Sequence, residues 1–270
     1  MASSKTGSSA WSVPQASTDA LYVYGVVPKG TPPDVFANSG ADIELVEAGE
    51  LAAIAGRVPL AEYGEDALEA NVKNPDWLEQ KVNAHNAVLA AGVGVTTVLP
   101  FRFGAIYRDE EHVRRMLSER TELGDALARL EGAVELGVKA LLDPEVVRAR
   151  LAHERGLDPE VGSGRAYMLW KQLERELDEE VRSFAASCAD ETHARLAATA
   201  EEARVNPAQH PSVVGGEMLL NGAYLVRSER EAAFRDALRE LQGRYADDGV
   251  TYELTGPWPP YNFVAEERPS

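Results

Sequence analysis

An α+β chain in two domains is what this sequence predicts, and three observations carry the prediction. Short runs rich in Val, Tyr, Leu and Phe recur along it, notably Leu21 to Val27, Val98 to Tyr107 and Leu220 to Val226, and they read as strands. Other stretches return their apolar residues every three or four positions, the spacing of one helical face. In the first half the segments follow one another as β, ββ, α, β, α, β. That order is compatible with a ferredoxin-like sheet carrying its helices on one face.

The elements follow in order. Met1 to Thr18 is rich in Ser and Ala with no apolar h-region, so residues 1–18 read as a disordered tail and not as a signal peptide. The strand Leu21 to Val27 runs into the turn-prone Pro28-Lys29-Gly30-Thr31-Pro32-Pro33. Ile43 to Val46 and Leu51 to Val58, separated by Glu47 to Glu50, suit a hairpin. Asn74-Pro75-Asp76 combines a capping side chain, a proline at the first helical position and an early acid. It predicts a helix start, with Leu78, Val82, His85 and Leu89 on one face. In Val98 to Tyr107, Leu99, Phe101 and Phe103 alternate against Pro100 and Arg102, the period of a half-buried strand. A helix from about Asp109, a helical segment near Asp125 to Leu130 and a strand Val134 to Leu141 complete an N-terminal domain of residues 19–143.

Residues 144–164, ending in a stretch with Pro159 and several glycines, read as a linker. Beyond it Ala166, Leu169, Trp170, Leu173, Leu177, Val181 and Phe184 make the strongest helical stripe in the chain. The C-terminal domain, 165–270, adds the strand Leu220 to Val226 and a helix with Phe234, Leu238, Leu241 and Tyr245 on its apolar face. Ser228 and Glu231 have the spacing of a capping box for that helix. A final strand, Val250 to Leu254, precedes a sharp departure at Thr255-Gly256-Pro257.

Composition excludes several function classes. The net charge is −17, with 44 acids against 27 bases, which argues against a nucleic-acid partner and an anionic membrane surface. With 270 residues, 44% of them hydrophobic, the chain has material for a substantial core. Its apolar runs fall short of the ~20 residues of a spanning helix. Cys188 is the sole cysteine, so no intramolecular disulfide forms and a cytoplasmic home fits.

The usual catalytic and ligand-binding patterns are missing from the sequence. The histidines at 85, 112, 153, 193 and 210 have no zinc spacing, the acidic pairs lack the alternation of a calcium loop, and the glycine pairs lack the rest of a phosphate-binding fingerprint. The expectation is therefore no enzyme, no cofactor and no metal. Cys188 lies on a helical stripe with Phe184 and reads as a core thiol. His85, one turn from Val82 and from Leu89, reads as a buried, hydrogen-bonded histidine. Arg102 is expected in an ion pair with an acid of the other domain, with partner contact as its other reading.

The most distinctive stretch is Leu254-Thr255-Gly256-Pro257-Trp258-Pro259-Pro260-Tyr261-Asn262-Phe263. Its three prolines hold the backbone extended and withhold N–H donors, while its aromatics need apolar surface to cover. With Val98 to Tyr107, Leu21 to Val27 and Leu220 to Val226 in register, it resembles the gas vesicle protein F/L family over nearly the whole chain after residue 19. That resemblance implies the ferredoxin-like sheet and a non-enzymatic accessory role. It further implies the gas vesicle shell protein, and possibly other accessory proteins, as partners, and a place at the gas vesicle or in the cytoplasm. Phe101, Arg102, Phe103, Trp258, Tyr261, Asn262 and Phe263 become candidates for interaction or interdomain docking. An arm folding back on its own protein accounts for Trp258, Tyr261 and Phe263; contact with a partner is the alternative. For function as a whole, the alternative is a small-molecule-binding module or an unrecognised enzyme on a ferredoxin-like fold, with Arg102, His85 and an acid converging in a cavity.

Overall fold

A computed structural model describes residues 18–156, 164–209 and 216–264, with backbone alone at 164–172. Two antiparallel sheets organise it. The first is built from β1 (Asp19–Pro28), β2 (Glu44–Ala48), β3 (Leu51–Pro59) and the two-residue strands β4 (Leu99–Pro100) and β5 (Ile106–Tyr107), in the order β2-β3-β1-β4, with β5 also on β1. The second contains β6 (Ala133–Leu142), β7 (Glu202–Val205), β8 (Glu217–Arg227) and β9 (Val250–Trp258), in the order β7-β8-β6-β9. Each order is that of a ferredoxin-like sheet, with the first strand of the unit lying between its third and fourth.

In the first half a 3₁₀ turn, Pro33–Ser39, stands where a crossover helix belongs, and three helices follow β3: α1 (Leu60–Tyr63), α2 (Glu65–Asn71) and α3 (Pro75–Gly92). The start of α3 is the expected one, since the Asn74 side chain accepts from the N–H groups of Asp76 and Trp77 at 3.1 and 3.4 Å. Its buried residues are His85, Val88, Leu89 and Gly92, whereas Leu78 and Val82 are only half-buried. Helices α4 (Glu110–Glu119) and α5 (Glu122–Leu130) cover the other face of the sheet, so helices flank it on both sides. β1 changes which face its residues serve at a bulge between Val23 and Gly25. Gly25 is required there, because a Cβ would meet the Leu99 carbonyl oxygen at 2.5 Å.

In the second half α6 (Pro144–Glu154) and the 34-residue α7 (Gly164–Ala197) occupy the crossover, and α8 (Glu231–Arg244) links β8 to β9. Leu177, Val181, Ala185, Cys188, Thr192 and Leu196 are buried along α7 at intervals of three and four, and Phe234, Leu238 and Leu241 are buried along α8. With Val134, Leu136, Val138, Tyr224 and Val226 they cover one face of the second sheet. Its other face turns toward the first half: Ala223 and Leu225 share an apolar cluster with Leu21, Val23 and Phe101 and with Leu123, Leu127 and Leu130 of α5.

Three local expectations need correction. Val98 to Tyr107 is not one strand: pairing stops at Pro100, which has no N–H, and resumes at Ile106 after a turn through Gly104. Phe101 and Phe103 consequently lie on opposite sides, Phe101 between the sheets and Phe103 beside Tyr22 and Trp77. Ser228 forms no capping box, its hydroxyl donating instead to the Gly132 carbonyl at 3.0 Å. Nor does the chain leave the sheet at Gly256-Pro257. β9 absorbs these residues in a bulge and pairs Trp258 with Glu135. Gly256, at φ 100°, takes a conformation that favours glycine. Of the linker expected at 144–164, residues 144–154 form α6 and residues 157–163 lie outside the described residues, as does the tail before Thr18.

Candidate functional site

The arm leaves β9 after Trp258, and two buried prolines carry it across the mouth between the sheets. A 3₁₀ turn at Tyr261–Phe263 then aims three consecutive side chains at three different elements. Tyr261 donates its hydroxyl to the side-chain oxygen of Asn86 on α3 at 2.8 Å. Asn262 is held twice by Glu135 of β6: its backbone N–H donates to Oε2 at 2.9 Å and its amide to Oε1 at 2.6 Å. Phe263 is fully buried in the cluster that joins the two sheets. The Arg129 guanidinium of α5 donates to its carbonyl, and that of Arg204 on β7 lies 5.6 Å from its ring centre.

Glu135 is 6% exposed, and burial pushes its carboxyl up, opposed by the two Asn262 donors and the charge of Arg204. A buried acid stays tolerable when both oxygens are occupied, which the arm accomplishes. Two of the partner groups on the arm are the backbone N–H of Asn262 and the backbone carbonyl of Phe263. The slot thus reads main chain, one side-chain amide and one ring.

The predicted site residues divide. Phe101 and Phe263 lie in the same apolar cluster, and Asn262 and Phe263 are docked within the chain. Trp258 and Tyr261 keep 47% and 38% of their surface exposed. Arg102 is exposed, and among the described residues it has no ion pair, in place of the interdomain pair expected. Phe103 belongs to an aromatic nest with Tyr22, Trp77 and His85, ring centres 5.9 to 6.2 Å apart. Sequence reasoning missed Glu135, Arg129, Arg204 and Asn86. The only trace of Glu135 is an acid inside a strand-like run, a position that ordinarily faces water.

His85 is a satisfied core histidine. Burial pushes its imidazole down to about 4, so it is neutral. Nε2–H then donates to the Phe101 carbonyl at 3.2 Å, Nδ1 accepts from the Tyr22 hydroxyl at 2.8 Å, and the Tyr22 oxygen accepts the Gly104 N–H at 3.1 Å. This chain of bonds fixes the turn between β4 and β5. A groove of about 840 Å³ opens elsewhere, between Asp19 to Leu21, Leu60 and Tyr107 to Glu111. Neither His85 nor Arg102 lines it, so the convergence expected for a ligand site there is not found.

The family model described as gas vesicle synthesis protein GvpL/GvpF matches residues 20–265. Gas vesicle protein L of a Streptomyces species is 35% identical over 265 residues, covering 93% of this chain and 96% of that protein. Gas vesicle protein F of the same strain is 31% identical, covering 91% of this chain and 99% of that one. The crystal structure of gas vesicle protein GvpF from Anabaena superposes with a TM-score of 0.67 over 93% of this chain and 98% of that chain. At 18% identity that likeness speaks for the fold. A match across nearly the whole chain, joined to relatives above 30% identity, places the protein in the gas vesicle synthesis protein GvpL/GvpF family.

Proposed function

We propose that this protein serves gas vesicle assembly by binding the hydrophobic shell subunit and limiting its aggregation, or by remaining as a minor component of the vesicle. No bond-making chemistry is involved. A wall that excludes water needs an apolar inner face, and a free subunit exposes that face to solvent. The observation that carries the reading is the pair Trp258 and Tyr261, two large aromatics left 47% and 38% exposed on a backbone that prolines and the Asn262 clamp hold rigid. Preorganised, half-exposed aromatics are the residue types that dominate binding energies. The acidic body, at −17 overall, supports solubility of a complex with an apolar client.

Light scattering of the purified shell subunit, with and without this protein, tests the reading. Aggregation should be delayed in proportion to added protein, and Trp258→Ser with Tyr261→Ser should weaken the delay. Unchanged scattering together with no co-purification would count decisively against it. A second reading, a small-molecule-binding module, draws on the groove beside Leu60 and Tyr107. A ligand bound there would raise the melting temperature and leave the scattering unaffected.

A further inference from the structure

The groove beside Leu60 and Tyr107 lies where β1 begins. The Leu60 N–H donates to the Thr18 carbonyl at 2.8 Å, and Asp19 is part of the groove wall, so residues 1–17 are tethered at its lip. Its apolar surface includes Leu60, 40% exposed, with Ile106 and Tyr107 half-buried. Its rim carries four acids, Asp19, Asp109, Glu110 and Glu111, against Arg57 and Arg108. Arg57 is already committed to Glu44 and Glu110, at 3.1 and 3.5 Å. The rim is therefore negative on balance. Neither Trp258 nor Tyr261 lines this groove, so what fills it is a separate matter from the shell-subunit reading.

Residues 1–17 carry the complementary chemistry. They contain Lys5 and no acid, in a chain of net charge −17, and they include the large apolar side chains Trp11 and Val13. We propose that this N-terminal segment folds back into the groove, setting the Trp11 ring against Leu60, Ile106 and Tyr107 and bringing Lys5 toward the acids of the rim. Reach permits it, since the seven residue steps from Thr18 back to Trp11 span up to roughly 23 Å. A segment too poor in apolar residues to build a core of its own can still order on a surface already made, and an indole ring carries a large apolar area to bury there. The tether supplies an effective concentration on the order of millimolar, so a free peptide of the same chemistry competes only near that level.

Photocrosslinking of the full-length chain tests this, with a benzoylphenylalanine probe in place of Leu60 or, in a second version, of the exposed Glu111. Irradiation should join the probe to a peptide within residues 1–17, in a yield that does not change with protein concentration. Trp11→Ser should remove most of that product, and Lys5→Glu should reduce it at low salt and less so at high salt. An equal mixture of ordinary and isotopically heavy chains separates the two sources of such a peptide. Products of mixed mass would put a second copy in the groove and overturn the proposal. It is equally overturned if the probe captures no N-terminal peptide, or if the product survives Trp11→Ser undiminished. Should the Leu60 probe disturb folding by circular dichroism, the Glu111 version decides by the same outcomes.

Discussion

The two halves share a strand order and close it by different physics. In the second half the crossover from β6 to β7 runs through α6 and α7, and with α8 they give one sheet face an almost wholly apolar cover. In the first half the crossover from β1 to β2 is a seven-residue 3₁₀ turn. The uncovered area there is filled by α3 and by the rings of Tyr22, Tyr24, Tyr63, Trp77 and Phe103 around His85. Rings with polar atoms bury well only when those atoms are bonded. The first half is consequently held in part by a hydrogen-bond relay through a buried histidine, and the second chiefly by apolar packing in which Tyr224, Tyr245 and Tyr252 find partners in His193, Glu191 and Thr192. A short crossover leaves a gap, and the buried histidine that helps to fill it makes the first half sensitive to pH.

The largest effect is expected in the apolar half: Phe234→Ala, at a fully buried position 5.2 Å between ring centres from Tyr224, should cost about 3 to 5 kcal/mol in chemical denaturation. Loss below about 1 kcal/mol would show that α8 is not the cover described.

Next comes the pH response of the first half. His85 ordinarily titrates near 6.5 and is pushed down to about 4 in the folded chain. The unfolded chain therefore takes up the proton first. The contribution of His85 is present above pH ~6.5 and is lost as pH falls toward about 4, on the order of 3 kcal/mol across that window. Glu135, pushed up from the carboxylate value of 4.5, acts with the opposite sign: its folded form prefers the proton, so its contribution is greatest below that value and is lost as pH rises. Urea midpoints at pH 7 and pH 4.5 should fall for the parent chain, and His85→Leu should flatten the slope while lowering stability at pH 7. An unchanged slope would remove His85 from the account.

At the joint between the halves, Glu135→Ala frees both Asn262 donors and should cost about 1 to 3 kcal/mol, read as faster proteolysis after Trp258. Equal cleavage rates would mean the clamp does not hold the arm. The smallest effect on stability belongs to Trp258→Ser, within about 0.5 kcal/mol, because nearly half of the side chain already faces solvent. Its consequence should appear in shell-subunit scattering instead.

Much of the fold was legible in the residues. The Asn74-Pro75-Asp76 start, the stripe Leu177, Val181 and Cys188, the face Phe234, Leu238, Leu241 and Tyr245, and the hairpin around Gly49 are local signals, and local signals survive folding. The candidate site was legible in part. The arm announced itself by composition; of the three aromatics read as folding back on their own chain, Phe263 is buried while Trp258 and Tyr261 stay partly exposed. Its receptor did not announce itself, because Glu135 alternates outward from Val134 and Leu136 and reads as solvent-facing until a second layer covers that face. The capping box at Ser228 failed for a related reason: residues 228–230 form a 3₁₀ turn ahead of the helix, and the Ser228 hydroxyl turns to a tertiary acceptor, the Gly132 carbonyl.

By itself the sequence determined the acidic balance, the period of each helix and strand, the stops imposed by proline and glycine, and the resemblance that the family match bears out. These depend on neighbours within a few residues or on composition. Only the tertiary structure decided that Phe101 and Phe103 part ways at Pro100, that Phe263 is buried while Trp258 is not, and that one carboxylate on β6 holds the arm. Each of those outcomes depends on which sheet face a distant element covers, and burial of a given side chain is a property of that layer, not of the residue.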